Sequence, residues 1–211
     1  EDGIRDDLVT GVQTCALPIS GPFFLLLPLN TQPASVGGIN LNQLPVGSPP
    51  ALGAAADDGG YERAARSLLE AERVVVKVGG GGRHCGDALR DFLTLADAVA
   101  VTSPLVSGVL PYVHPRNMTV GGSKGSLCGN YAMEQANMHV AIGSRAVCQA
   151  DCSRTGYPRV EQVVNINADI EAATHYGRTE ALVGEAQATL EKLNDALRAL
   201  GADGRERASS W

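Results

Sequence analysis

Short runs of β-branched and apolar residues that alternate with helix-periodic segments constrain this chain more than any other feature of its sequence. The clearest run is "RVVVKVGGGG", residues 73–82, a strand that breaks off into four glycines. "CGDALRDFLTLAD" follows, with Leu89, Phe92, Leu93 and Ala96 at helical spacing, and then the short strand "AVAVTS". A helix is expected from Tyr61 through "YERAARSLLEAE", with Asp58 as its cap. The second half repeats the pattern: "NMTV" as a strand, "SLCGNYAMEQA" as a helix, "MHVAIGSR" as a strand turning on Gly143, and "EQVVNINAD" as another strand. In "EALVGEAQATLEKLNDALRAL", the residues Leu182, Ala186, Leu190, Leu193, Leu197 and Leu200 are expected on one face of a C-terminal helix. Uniformly apolar strands alternating with helices predict an α/β fold, a Rossmann-like parallel sheet with helices on both faces. Ligands of such sheets bind at the carboxyl ends of the strands, here residues 79–82, 143–145 and 165–167.

The first twenty residues, "EDGIRDDLVTGVQTCALPIS", follow no such pattern. They lack the basic start and long apolar core of a secretory signal and the arginine-rich, acid-poor character of a transit peptide. They read as the conceptual translation of a common short-read sequencing adapter, with residues 7 and 8 at the sample index, so residues 1–20 are expected not to be native. About 190 of the 211 residues then remain, enough for one domain and part of a neighbour. The expected divisions are a strand in 21–33, a linker rich in Pro, Gly and Ser in 34–60, the α/β domain in 61–200 and a tail in 201–211.

A net charge of −6 argues against a nucleic-acid partner, which requires a basic face. The run "FFLLLPL" is too short to span a membrane and reads as a buried strand. Outside residues 1–20 the cysteines are Cys85, Cys128, Cys148 and Cys152; they form no CxxC pair, so reduced thiols and a cytoplasmic location are expected. A metal site from Cys148, Cys152, Cys85 and His84 would lack the paired spacing of structural zinc sites. The histidines show no ligating pattern and read mostly as surface or loop residues.

The glycines after residue 78 give no G-x-G-x-x-G register, and the next strand ends in Val101-Thr102 rather than in an acid, so this is not a standard NAD fingerprint. They either let the chain turn tightly or present N–H groups to a phosphate. "GGSKG", residues 121–125, matches G-x-S-x-G, and a serine hydrolase would recruit Asp169 and His175 to Ser123, although no HGGG-like segment accompanies it.

Two longer segments carry a resemblance. "GPFFLLLPLNTQ" resembles the last strand of the pyrimidine-binding domain of thiamine diphosphate enzymes, and "HPRNMTVGGSKGSLCGNYAMEQANMHVAIGSR" resembles the central domain of acetolactate synthases. His114, Pro115, Gly122, Gly125, Asn130, Tyr131, Ala132, Gly143 and Arg145 keep the family's order and spacing. The resemblance runs from residue 21 to about residue 200. It implies a six-stranded Rossmann-like layer within an enzyme that makes or breaks a carbon–carbon bond beside the carbonyl of a 2-keto acid, a lyase or transferase working as a homodimer or homotetramer. Thiamine diphosphate supplies the chemistry there and the protein orients it. In the family an activating glutamate lies on the pyrimidine-binding domain and a GDG…N motif ligates Mg²⁺ on the third domain; neither is found in this chain, which is expected to be a fragment inactive by itself. Acetolactate synthases hold FAD on this layer, and Gly80, Gly81, Gly82, Gly122, Gly143 and Arg145 fit a cofactor-binding edge. Departures are Lys124 for the family's histidine, Gln149 for its second arginine, and Asn165 and Asn167 for its acidic strand end. Arg145 would thus be the strong cation left at the edge. The alternatives are a structural spacer and a stand-alone nucleotide-binding module.

Overall fold

The computed structural model describes residues 52–145, 156–204 and 211, with positions 26, 28–30, 32–33, 35, 37–38, 40 and 42. The chain divides into units Glu1–Pro50 and Ala51–Trp211. In the first unit the described residues are exposed and include turns at 29–30, 32–33 and 37–38. Most of the expected strand at 21–33 lies outside the described residues; Leu26 and Leu29, which are described, are exposed.

The second unit runs α1 (Asp58–Glu70), β1 (Val74–Val78), α2 (Gly86–Leu95), β2 (Ala98–Thr102), β3 (Asn117–Val120), α3 (Leu127–Gln135), β4 (Met138–Ile142), β5 (Gln162–Asn167), α4 (Ile170–Ala173), β6 (Thr179–Val183) and α5 (Ala186–Ala199). The six strands form one sheet in the order β3-β2-β1-β4-β5-β6, and every pairing is parallel. A parallel strand needs a crossover to reach its place in the sheet; α2 joins β1 to β2, α3 joins β3 to β4 and α4 joins β5 to β6, while β2 reaches β3 through the short 3-10 turn Pro104–Val106 and a loop. The order reverses between β1 and β4, the place where such sheets open a crevice at their carboxyl edge.

Period-two alternation divides the strand residues between two cores. Val74, Val76, Val78, Val140, Ile142, Val164, Ile166 and Leu182 face α1, α2 and α5, where Leu68, Leu89, Phe92, Leu190 and Leu193 cover them. Val75, Val99 and Val101 face α3 through Ala132 and Met133, with Tyr157 beside them. Helices thus cover both faces, as the alternation predicts.

Two expectations about helices are corrected. Leu182 lies on a strand: Thr179–Val183 pairs with β5 along its whole length. A Cβ on Gly184 would stand 2.4 Å from Ala55 N, and Glu185 then caps α5 by accepting from Gln187 N–H at 3.0 Å and Ala188 N–H at 2.8 Å. Gly184 and Glu185 therefore split the stretch into strand and helix. At the other end, α1 begins at Asp58, three residues before Tyr61, with Asp57 rather than Asp58 at the cap position. Arg63 bonds both Asp57, at 2.9 Å, and Glu180, at 2.8 Å, which ties this glycine-containing first turn to β6. That tie overrides the poor helix propensity of Gly59 and Gly60.

His139 also departs from expectation. It sits in the middle of the sheet, fully buried, stacked on Tyr157 with ring centroids 4.1 Å apart and edge-on to Tyr176 at 5.0 Å. Neither ring nitrogen finds a hydrogen-bond partner among the described residues. Burial, aided by the nearby Lys77 charge, drives its pKa down to about 3. An unfolded chain takes up this proton near pH 6.5, whereas the native fold excludes it until about pH 3. Stability is therefore complete above pH 6.5 and declines as the pH falls, by about 1.4 kcal/mol per pH unit from this group. Replacing His139→Phe, which retains the stack, is expected to flatten the acid limb of the stability–pH curve by that slope. Urea denaturation from pH 7 to 4 measures it, and equal acid limbs for the two proteins would contradict the assignment.

Candidate functional site

At the reversal point the turns after β1 and β4 touch. Gly79 N–H donates to Ile142 O at 2.8 Å and Gly81 N–H to Gly143 O at 3.1 Å. A Cβ on Gly79 would lie 2.4 Å from Gly143 O; one on Gly143 would lie 2.5 Å from Gly81 Cα. Gly143 also has φ +55°, the left-handed region that side chains disfavour. The structure thus brings Gly80, Gly81, Gly82 and Gly143 together, as residues of two interlocked turns.

This interlock decides which N–H groups face outward. Gly81, Gly82 and Gly143 donate to Gly143 O, Gly79 O and Ile166 O, and Gly122 donates to Asn130 Oδ1. Among the described residues, no hydrogen bond is found for the Gly80 N–H or for the exposed Arg145 guanidinium. Arg83 adds a second guanidinium: the turn Gly80–Gly82 folds the chain back so that Arg83 Nε donates to Gly80 O at 3.0 Å. The expectation of Arg145 as the strong cation remaining at the edge is therefore corrected. The signal in the sequence was a basic residue directly after a glycine turn, three positions beyond its first glycine. Gln149, Cys148 and Cys152 lie outside the described residues.

Cys85 Sγ donates to Gly82 O at 3.0 Å, and burial pushes its thiol up to about 11, so at neutral pH it is a packed thiol and not a thiolate. Ser123 lies beyond β3, at the edge of the sheet, while Asp169 and His175 follow β5, four strands away. Four strand spacings amount to about 19 Å. Asp169 Oδ1 accepts from Glu171 N–H at 3.0 Å as the cap of α4. This topology does not assemble a Ser–His–Asp triad.

Asn165 and Asn167 are buried where the family pattern has acids. Asn165 Nδ2 donates to Ala172 O at 2.8 Å and Asn167 Nδ2 to Ser144 O at 2.9 Å, while Asn167 Oδ1 accepts from Asp169 N–H at 3.2 Å. A carboxylate has no proton to give either carbonyl. These asparagines brace the turn after β4 and the helix α4.

Comparison with known proteins agrees with this architecture. Residues 61–193 match the family described as thiamine pyrophosphate enzyme, central domain. The chain is 29% identical over 143 residues to a probable acetolactate synthase large subunit of Methanocaldococcus jannaschii, covering 66% of this chain and 24% of that protein. It is 32% identical over 84 residues to the chloroplastic acetolactate synthase 1 of Zea mays, covering 40% and 13%. It is 28% identical over 139 residues to the 3D-(3,5/4)-trihydroxycyclohexane-1,2-dione hydrolase of Listeria monocytogenes, covering 64% and 21%. The matched part of this chain therefore spans a quarter or less of these relatives' length.

Substituting Asn167→Asp is expected to set a buried carboxylate against Ser144 O and destabilise the fold by about 2 kcal/mol or more at pH 7, with partial recovery in acid as the carboxyl protonates. Chemical denaturation at pH 7 and 5 tests this; a variant as stable as the wild type at pH 7 would contradict the bracing role.

Proposed function

The chain belongs to the thiamine pyrophosphate enzymes through their central domain, and from that premise we propose that it is the central layer of an enzyme that makes or breaks a carbon–carbon bond beside the carbonyl of a 2-keto acid. The relatives named as acetolactate synthases support this reading, while another is named as the hydrolase of a cyclic 1,2-dione, a different class of substrate. The whole enzyme is proposed to use thiamine diphosphate with Mg²⁺ and to work as a homodimer or homotetramer.

The residues described do not fit that cofactor. No three His, Cys, Asp or Glu side chains among them converge to hold a metal ion. The sequence contains no Gly-Asp-Gly segment. No chemical step is assigned to this chain; its proposed role is to build the layer and to offer a nucleotide edge. Among the described residues no helix is long and apolar enough to cross a membrane.

One observation carries the nucleotide reading. Arg83 and Arg145 stand on the two interlocked turns, with Gly80 N–H between the engaged amides. Two guanidiniums and an amide at a sheet's carboxyl edge suit phosphate oxygens. The buried asparagines give no carboxylate to a ribose, so the fit is to the diphosphate of ADP or FAD more than to the sugar. Calorimetric titration of ADP, FAD and NAD into the wild type and Arg145→Ala tests it. ADP and FAD binding is expected to weaken by about ten- to a hundredfold in the variant, the worth of a charge-assisted hydrogen bond. Preference for NAD would favour a stand-alone module, and absence of binding to the wild type would leave a structural spacer.

A further inference from the structure

The peptide bond joining Gly121 to Gly122 is gripped at both ends by side chains from different elements. Its carbonyl accepts from Lys77 Nζ at 2.9 Å, and its N–H donates to Asn130 Oδ1 at 2.8 Å. Lys77 is the fourth residue of β1, fully buried, on the sheet face that carries α3. Asn130 lies on α3 itself. The loop after the edge strand β3 is thereby drawn inward across β2 to the central strand β1.

The turn that this peptide begins is intrinsically pliable, with three glycines among residues 121–125. Its seat is narrow: a Cβ on Gly121 would lie 2.5 Å from both Met133 Sδ and Val101 Cγ1. Gly122 has φ +119°, and its carbonyl accepts from Gly125 N–H at 2.9 Å. A turn that only glycine can form brings with it the disorder of glycine unless something outside it fixes the peptide planes. Burying an ammonium in the middle of a valine strand carries a desolvation penalty that packing alone would not repay. A hydrophobe of the same length would fill that space at lower free energy.

We infer that Lys77 and Asn130 are positioning residues: acting from opposite ends of one peptide bond, they set the Gly121–Gly122 plane and hold the turn at residues 121–125 in a single conformation before any ligand arrives. The two hydrogen bonds run in the same sense through the peptide, ammonium to carbonyl and amide N–H to Asn130, so each polarises the other. For a ligand that extends along the carboxyl edge as far as the turn at residues 121–125, a turn already ordered lowers the entropy lost on binding. The inference rests on the nucleotide reading only for that consequence, not for the clamp.

Amide hydrogen exchange by NMR, made without nucleotide, on the wild type, Lys77→Met and Asn130→Ala tests it. Both variants are expected to exchange the amides of residues 122–126 about ten- to a hundredfold faster, while amides of β4 and β5 keep their rates. The Gly122 amide proton should move upfield in both, a signature that a general loss of stability does not produce. Wild-type loop rates in Asn130→Ala, or an increase shared equally with β4 and β5 in both variants, would overturn the clamp. Should Lys77→Met fail to fold, Asn130→Ala decides alone, since its side chain is half-exposed at the other end of the same bond. A wild type that binds no ADP removes the nucleotide reading without touching the exchange result.

Discussion

The contact between the turns after β1 and β4 is the constraint on which the carboxyl edge depends. In an open parallel sheet the point where the strand order reverses leaves neighbouring turns diverging, and the crevice between them is the usual ligand site. Here Gly79, Gly81 and Gly143 let the two backbones meet with no side chain between them. Their hydrogen bonds extend the β1–β4 pairing beyond the last residues of either strand. With the backbones in contact, the exposed side chains beside the glycines, Arg83 and Arg145, are what give this edge its charge. Asn167 continues the bracing from β5 through Ser144 O. The glycines Gly79, Gly81 and Gly143 are thus explained by close approach first.

The two faces of the sheet differ in kind. The face under α1, α2 and α5 is apolar across all the central strands and supplies most of the hydrophobic core. The face under α3 carries Lys77, His139 and Asn165 among its valines, each fully buried. By register Lys77 and Asn165 flank Ala141, with His139 one pleat away on the same strand. Buried polar groups of this kind weaken a core unless hydrogen bonds compensate. Lys77 compensates by fixing a turn, and Asn165 by holding α4. His139 compensates only through ring contacts, which is why its neutral form is so strongly preferred.

The sequence made most of this fold legible because each central strand is a compact β-branched run ended by a glycine or a polar turn. Strands β1, β2, β4 and β5 follow from that pattern, and the parallel arrangement follows from their alternation with helices. Strand β6 was hidden because Ala181 and Leu182 suit either period, and the break at Gly184 arises from its contact with Ala55, a residue about 130 positions away in the chain. The family was legible through the spacing from His114 to Arg145, which the match over residues 61–193 bears out. Individual roles were less so. Lys77 is one charged letter inside a strand, and nothing local says that its ammonium reaches Gly121. Asn167 looked like a lost carboxylate, whereas the carbonyl of Ser144 makes a donor the required chemistry.

The most direct measurement of the account is the equilibrium stability of Gly143→Ala against that of Gly108→Ala. Gly143 combines φ +55° with a Cβ position 2.5 Å from the Gly81 backbone, while a Cβ on Gly108 would meet nothing within 4 Å. If the interlocked turns hold the carboxyl edge together, Gly143→Ala loses about 2 kcal/mol or more in urea denaturation and Gly108→Ala stays within about 0.5 kcal/mol of the wild type. A Gly143→Ala protein as stable as Gly108→Ala would show that the turns do not meet as described.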